Sequence, residues 1–168
     1  MRFVVLEKAF FAINNFNVIM DKEKENRMRT GEKKTGGRAV PFAFEEDGQT
    51  IYEKIGGAPT IRRLVEAFYP KVKADPLIGP LFPDDIRPLM EKQFMFLSQF
   101  FGGPPLYSMK YGHPMMRARH LPFPITVERA EAWLDCMRRA LQETGLSPEL
   151  QELVLERLKG PAYHFVNS

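Results

Sequence analysis

The sequence predicts an all-α fold, and three observations support this. Apolar residues recur at helical spacing from Ile51 onwards, paired glycines and prolines separate the helical segments, and strand patterns are weak throughout. The chain has 168 residues, 44% of them hydrophobic, which is enough for one domain with a core. No run of about 18 apolar residues occurs, so no membrane span is predicted.

Two long helices are predicted in the first half of this region. The apolar face of the first, after the double glycine at 56–57, contains Ile61, Leu64, Val65, Phe68 and Val72. Pro70 lies inside this helix and predicts a kink that would shift the neighbouring hydroxyl of Tyr69, since proline removes a backbone donor. The second helix is expected to begin near Asp84 and Asp85 and to end at the Gly-Gly-Pro-Pro run of residues 102–105.

Three helical segments are predicted in the second half. A short helix is expected over residues 114–120, in a region otherwise rich in loops. Thr126 is expected to cap a well-formed helix that Gly145 ends. The Ser-Pro-Glu run at 147–149 opens the last helix, in which Pro161 predicts a bend or a break.

Residues 1–48 are predicted to be an N-terminal extension that precedes a domain over residues 49–168. A secretory signal needs an uninterrupted apolar stretch, and Glu7 and Lys8 interrupt the apolar start of this chain. The charged stretch that follows has few groups to bury. We expect either a disordered tail or a start placed too far upstream, for which Met20 and Met28 are available alternatives.

Charge and cysteine content exclude several classes of function. The chain carries 24 basic and 21 acidic residues, and neither the first 50 residues nor the remainder forms a basic patch, so nucleic acid is not an expected partner. Cys136 is the only cysteine, which excludes an internal disulfide and a cysteine-rich zinc site and fits a cytoplasmic protein. No nucleophile elbow, phosphate loop or metal-hydrolase motif is present.

Polar side chains on apolar helix faces are the candidates for function, because burying a polar group without a partner is costly. Gln93 continues the apolar stripe of its helix and is either a satisfied core glutamine or a donor aimed into a ligand cavity. Tyr69 and Trp133 could each be a core aromatic with one polar atom. Composition and spacing alone do not show which of the three histidines, His113, His120 or His164, has a functional role.

An ordered set of short motifs runs through the domain: YEKIGG, Phe68-Tyr69, PLFPDD, Lys92-Gln93, FGGPPLY, YGHPMMRARHLPFPIT and RAEAWLDCM. Together they resemble the second group of truncated haemoglobins over about residues 51–168. The run that ends at Thr126 is the most specific of these motifs. The resemblance implies a shortened globin fold, with two helix pairs packed over each other around haem b, which is iron protoporphyrin IX.

By this resemblance, His120 matches the proximal ligand of the haem iron, with its other ring nitrogen bonded to a backbone carbonyl. Tyr69, Gln93 and Trp133 match the distal positions, where their donors would stabilise the partial negative charge of a diatomic ligand. Leu89 falls where many globins have a distal histidine, so the distal hydrogen bonds would come from the other three residues. The remaining haem contacts implied by the resemblance are Phe82, Lys92, Tyr107, Met116 and Arg119.

The resemblance implies a cytoplasmic, monomeric or homodimeric haem protein that binds dioxygen for transport or storage, and that also takes carbon monoxide, nitric oxide or peroxide. A haem redox enzyme, either peroxidase-like or a nitric oxide dioxygenase, is the alternative, and it would need a separate reductase as partner. A helical interaction module that has lost haem is a third hypothesis. The presence of His120 and of the three distal residues argues against that third possibility.

Overall fold

The computed structural model describes residues 48–168, and within that range every regular element is a helix. The seven α-helices of these described residues are α1 (Ile51–Lys54), α2 (Ala58–Ala74), α3 (Arg87–Phe100), α4 (Leu106–Tyr111), α5 (Met116–His120), α6 (Val127–Leu141) and α7 (Pro148–His164). A 3-10 helix, Gly79–Leu81, follows α2. The predicted all-α class is therefore confirmed, whereas the predictions for residues 1–47 lie outside the described residues.

The four long helices form two packed pairs. Helix α2 packs against α3, α6 packs against α7, and the pairs meet where α2 packs against α6. The predicted two-over-two arrangement corresponds to these contacts. None of the helices in residues 48–168 is long and apolar enough to cross a lipid bilayer.

Large apolar side chains from all four long helices fill the core. Phe68 and Ile61 of α2, Met137 of α6 and Val154 of α7 are each fully buried. Leu97 of α3 is 1% exposed. Burying one such side chain stabilises the fold by about 1.5–3 kcal/mol, so these contacts are the main force that holds the pairs together.

Side-chain caps fix where several helices begin. The hydroxyl of Thr126 accepts a hydrogen bond from the backbone N–H of Arg129, as predicted, and Ser147 caps α7 in the same way. Helix α3 begins at Arg87, two residues after the predicted acidic start. Asp85 still accepts from the backbone N–H of Arg87, so its carboxylate lies just before the helix.

Two prolines lie inside helices without ending them. Helix α2 continues through Pro70 to Ala74. Of the bend or break expected at Pro161, the break does not occur, because α7 is continuous from Pro148 to His164. A proline costs a helix one backbone hydrogen bond and some crowding. In α7 the side chains on either side of Pro161, Leu158 and Ala162, are buried, so tertiary packing outweighs this cost.

The double glycine after α3 is needed because α1 lies directly on it. The backbone N–H of Tyr52 donates to the carbonyl of Phe101 over 2.8 Å. A Cβ on Gly103 would lie 2.6 Å from the Tyr52 ring, which is closer than side chains can approach. Gly102 has φ of +91°, a backbone conformation that favours glycine. The short helix α1 is thereby fixed against the end of α3.

Candidate functional site

A hydrogen bond between Tyr69 and Gln93 connects α2 to α3. The tyrosine hydroxyl donates to Oε1 of Gln93 over 2.8 Å. Tyr69 is 2% exposed, and this burial raises its pKa far above the ordinary value of 10.0, so the hydroxyl remains a proton donor at any working pH. With its carbonyl oxygen accepting from Tyr69, Gln93 can direct its Nε2 hydrogens elsewhere. Pro70 was expected to kink α2 and to shift the Tyr69 hydroxyl, but the hydroxyl still reaches Gln93.

Aromatic contacts place Phe82 and Trp133 near this pair. The ring of Phe82 meets that of Tyr69 edge to face, with centroids 6.2 Å apart. The ring of Trp133 meets Phe68 in the same way at 5.3 Å, and Phe68 precedes Tyr69 on α2. Trp133 is partly buried, and within residues 48–168 its indole N–H has no hydrogen-bond acceptor. Trp133 is therefore near the Tyr69–Gln93 pair without being hydrogen-bonded to it.

His120 lies at the end of α5, with one ring nitrogen already engaged. Its Nδ1 lies 2.6 Å from the carbonyl oxygen of Met116, which fits an N–H donor in a neutral imidazole. Burial lowers the pKa of His120, as does the charge of Arg119, while the bond to Met116 raises it. Desolvation is the largest of these effects, so the neutral form is favoured, and Nε2 keeps a lone pair for a metal.

The other histidines have different surroundings. His113 is exposed and its Nδ1 accepts from the backbone N–H of Met115, just before α5. His164 is also exposed, and its carbonyl accepts from the Arg117 side chain. In the described range no three His, Cys, Asp or Glu side chains are grouped to hold a metal ion. His120 is thus the partly buried histidine with a defined tautomer.

Two cations and two phenols cluster beside His120 and Gln93. The Arg119 guanidinium lies 5.8 Å from the centre of the Tyr107 ring, and Lys92 Nζ lies 5.6 Å from that of Tyr111. Burial lowers the pKa of Lys92, and the positive charges of Arg119 and Lys110 add to this effect. A group of cations that destabilise one another is suited to bind carboxylates, which would relieve the repulsion.

The cationic cluster also brings the two sides of the candidate site together. Lys92 directly precedes Gln93 on α3, and Arg119 directly precedes His120 on α5. Lys92 lies over the Tyr111 ring and Arg119 over the Tyr107 ring, and these two rings are 5.1 Å apart, so the helices that carry the glutamine and the histidine meet in one region of the molecule. Leu89 and Met116 are partly buried apolar side chains on these same two helices, and Leu89 packs against the core.

One contact of His120 was not anticipated from the sequence. The ring of Phe165 stacks on the imidazole, with centroids 4.2 Å apart and planes 7° apart. Tyr111 in the cationic cluster was also missed, although it belongs to the most specific sequence motif. No local pattern points to Phe165, because it meets His120 only through the packing of the segment after α7.

These residues fit haem. A planar, largely apolar group with two carboxylates needs apolar walls and cations, and its iron needs a neutral imidazole nitrogen. Nε2 of His120, the half-buried apolar side chains and the cluster around Lys92 and Arg119 have this chemistry. Globins hold haem iron by one such histidine, and an all-α fold with these groups defines the class as a haem-binding globin.

Comparison with known proteins identifies the family. The sequence profile of bacterial-like globins matches residues 50–167, and the chain belongs to the bacterial-like globin family. Group 2 truncated hemoglobin YjbI from Bacillus subtilis (strain 168) is 51% identical over 116 residues, which cover 69% of this chain and 87% of that protein. The resemblance to truncated haemoglobins of the second group is therefore confirmed.

Solved structures agree with this assignment. The group II truncated hemoglobin from Bacillus anthracis is 50% identical, with a TM-score of 0.69 over 71% of this chain and 92% of that one. A truncated oxygen-avid haemoglobin from Bacillus subtilis is 50% identical, with a TM-score of 0.67 over 71% of this chain and all of that one (100%). Membership of the family implies a haem cofactor and small gaseous ligands.

Proposed function

We propose that this protein binds haem b through Nε2 of His120 and binds dioxygen reversibly, for transport or storage in the cytoplasm. The observation that carries the proposal is the hydrogen bond between Nδ1 of His120 and the carbonyl of Met116, which leaves Nε2 as the metal-binding atom. When bound, haem supplies a ferrous iron that takes a diatomic ligand.

The proposed contacts to haem follow from the chemistry of each side chain. Lys92, Arg119 and the hydroxyl of Tyr107 would bind the two propionates. Phe82, Leu89 and Met116 would pack against the apolar porphyrin, where burial of each side chain contributes favourably. The lowered pKa of Lys92 supports this assignment, because an acidic group would compensate the cost of its desolvation.

The proposed distal donors are Gln93 and Trp133, with Tyr69 as the residue that orients the glutamine. Tyr69 holds Oε1 of Gln93, so the amide presents its Nε2 hydrogens in one direction. Together with the indole N–H of Trp133, these hydrogens would stabilise a dioxygen ligand that carries partial negative charge. The similarity to a haemoglobin described as oxygen-avid supports dioxygen as the ligand.

The test is the visible absorption spectrum of purified, haem-supplemented protein, reduced and then exposed to carbon monoxide, beside His120→Ala and His113→Ala variants. We expect a sharp Soret band that shifts with carbon monoxide in the wild type and in His113→Ala. The band should be lost or altered in His120→Ala. Wild-type protein that takes up no haem would overturn the proposal and favour the helical interaction module.

Kinetics separate the proposed carrier from a redox enzyme. Slow dioxygen release without turnover is expected for binding and storage. Turnover with peroxide or nitric oxide well above that of free haemin, in the presence of a reductant, would contradict the proposal. A peroxidase-like or nitric oxide dioxygenase activity, supported by a partner reductase, would then replace it. Sedimentation of the haem-loaded protein would show whether it is a monomer or a homodimer.

A further inference from the structure

The face of the His120 imidazole is covered by an aromatic ring from a different part of the chain. Phe165 follows α7 and lies parallel to the imidazole, with ring centroids 4.2 Å apart and an angle of 7° between the planes. At this separation the two parallel rings are in van der Waals contact. Rotation of the imidazole about its Cβ–Cγ bond would therefore drive it into Phe165.

The segment that carries Phe165 is fastened on both sides to the chain around His120. Before it, the carbonyl of His164 accepts from the Arg117 guanidinium over 2.7 Å. After it, Asn167 donates from its side-chain amide to the carbonyl of His120 over 3.2 Å. Phe165 is thus held between two anchors, and neither depends on its own side chain.

Asn167 also forms a reciprocal pair with Ile125. The backbone N–H of Asn167 donates to the carbonyl of Ile125 over 2.9 Å, and the backbone N–H of Ile125 donates to Oδ1 of Asn167 over 3.1 Å. With the bond to His120, one asparagine satisfies two polar groups of the loop that follows α5 and one at the end of α5 itself. We call residues 164–167 the proximal clasp.

The imidazole is restrained in two independent ways. The bond from Nδ1 to the Met116 carbonyl fixes one edge of the ring and opposes rotation about the Cβ–Cγ bond. The Phe165 ring blocks that rotation, since it occupies one face. Together the two contacts leave one direction for Nε2.

We propose that the proximal clasp sets the plane of the His120 imidazole for haem iron, with Phe165 as a positioning residue. This inference rests on the proposed role of His120 as the iron ligand. Without Phe165, the imidazole would spend part of its time in other orientations. The apparent affinity for haem would fall in proportion to the fraction of time that the imidazole spends in the orientation that binds iron. The hydrogen bond to Met116, which makes the imidazole a stronger electron donor to iron, would also weaken.

The test compares Phe165→Leu with Tyr163→Leu as the matched control. Both replace an aromatic ring by leucine near the C-terminal end of α7, two residues apart, but Tyr163 is 45% exposed and within residues 48–168 its ring does not stack on His120 as that of Phe165 does. In the ferrous protein, resonance Raman spectra of Phe165→Leu should show the iron–histidine stretching band at lower frequency and broader than in wild type and Tyr163→Leu. Transfer of haem to a scavenging apomyoglobin should be roughly threefold to tenfold faster, from the usual strength of an aromatic pair.

A second readout needs no haem. In the apoprotein, the ring current of Phe165 should shift the His120 ring protons upfield in the NMR spectrum, and Phe165→Leu should abolish that shift while Tyr163→Leu preserves it. Phe165→Tyr keeps the ring and should restore all three observations. Should Phe165→Leu fail to fold, Asn167→Ala loosens the clasp without touching the core. We then expect a broader band and faster haem loss.

The outcomes separate this inference from the proposed function. Wild-type protein that takes up haem but shows no iron–histidine band, or that keeps its spectrum in His120→Ala, would overturn both. If the wild type shows a normal iron–histidine band, and Phe165→Leu changes neither the position and width of that band nor the rate of haem transfer, the clasp alone would be overturned. Equal changes in Phe165→Leu and Tyr163→Leu would also overturn it, because they would reflect a general loss of stability.

Discussion

Tyr69 on α2 and Gln93 on α3 share one hydrogen bond, 2.8 Å from the tyrosine oxygen to Oε1 of the glutamine. The phenol proton is therefore committed to the glutamine. Under the proposed function, Tyr69 stabilises a bound ligand indirectly, by fixing how Gln93 presents its amide hydrogens.

This relationship predicts that substitutions of Tyr69 and Gln93 are not additive. Tyr69→Phe and Gln93→Leu should each speed dioxygen dissociation by about tenfold or more, since each disturbs donors to a partly charged group. The double substitution should cost little beyond Gln93→Leu, because Tyr69 acts through the glutamine. Stopped-flow dissociation rates of the three variants measure this. Strictly multiplicative effects would mean that each side chain reaches the ligand by itself.

Trp133→Phe should also speed dioxygen dissociation. The substitution removes the indole N–H, which has no acceptor within residues 48–168, and retains a ring that can still meet Phe68. We expect an increase of about threefold to tenfold, the usual effect of one lost hydrogen bond, with little change in melting temperature. An unchanged dissociation rate would mean that the indole does not reach the ligand.

Lys92→Gln should have opposite effects on the apoprotein and the haem-loaded protein. Burial, Arg119 and Lys110 lower the pKa of Lys92, so the folded apoprotein disfavours its charge. Removing that charge should raise the melting temperature of the apoprotein, while loss of a propionate contact should speed haem transfer to apomyoglobin. Lys110→Gln, at an exposed position beside Tyr111, is the control and should affect haem transfer less. Slower haem transfer in Lys92→Gln would contradict the propionate role.

The stability of the apoprotein should fall as the pH is lowered through the ordinary histidine pKa of 6.5. Desolvation holds the pKa of His120 below that value, so the unfolded state binds the proton first. The loss begins near pH 6.5 and ends once the pH is below the pKa in the folded state. Urea titrations of wild type, His120→Gln and His113→Gln measure it. His120→Gln should lose part of the pH dependence and His113→Gln should keep it, and the reverse result would contradict the assignment.

Gly103→Ala should destabilise the domain by about 1–3 kcal/mol, the usual cost of overpacking. Its new Cβ would meet the Tyr52 ring at 2.6 Å, and the ring would have to move away from the end of α3. In a Tyr52→Ala background the same substitution should cost much less, since the clash is removed. Chemical denaturation of the four proteins gives this coupling. If Gly103→Ala lowers the free energy of unfolding equally in the wild-type and Tyr52→Ala backgrounds, the clash with the Tyr52 ring is not the cause.

Local patterns predicted most of the fold because helices are stabilised by neighbours in sequence. The cap at Thr126, the start at Ser147 and the glycine stop at 102–103 depend only on residues within one or two turns. The same reasoning allowed a break at Pro161 that does not occur, because the cost of a proline is local but the packing that offsets it is not. It also placed the start of α3 two residues early.

The candidate site was predicted unevenly. Motifs proposed the identities of His120, Tyr69, Gln93 and Trp133, and their roles remain predictions. That Tyr69 donates to Gln93 could not be inferred from the motifs, because this bond depends on the distance and angle between α2 and α3.

The sequence by itself determined the helical class, the order of the helices, most of their ends and the family. Helical spacing, caps and motifs depend on residues that are close together in the chain. Only the tertiary structure decided that Phe165 covers His120, that Lys92 lies near Arg119, and that Tyr52 rests on Gly103. Each of these contacts joins residues far apart in the chain. Their geometry follows from how whole helices pack, which is a property of the sum of many buried side chains and of no single motif.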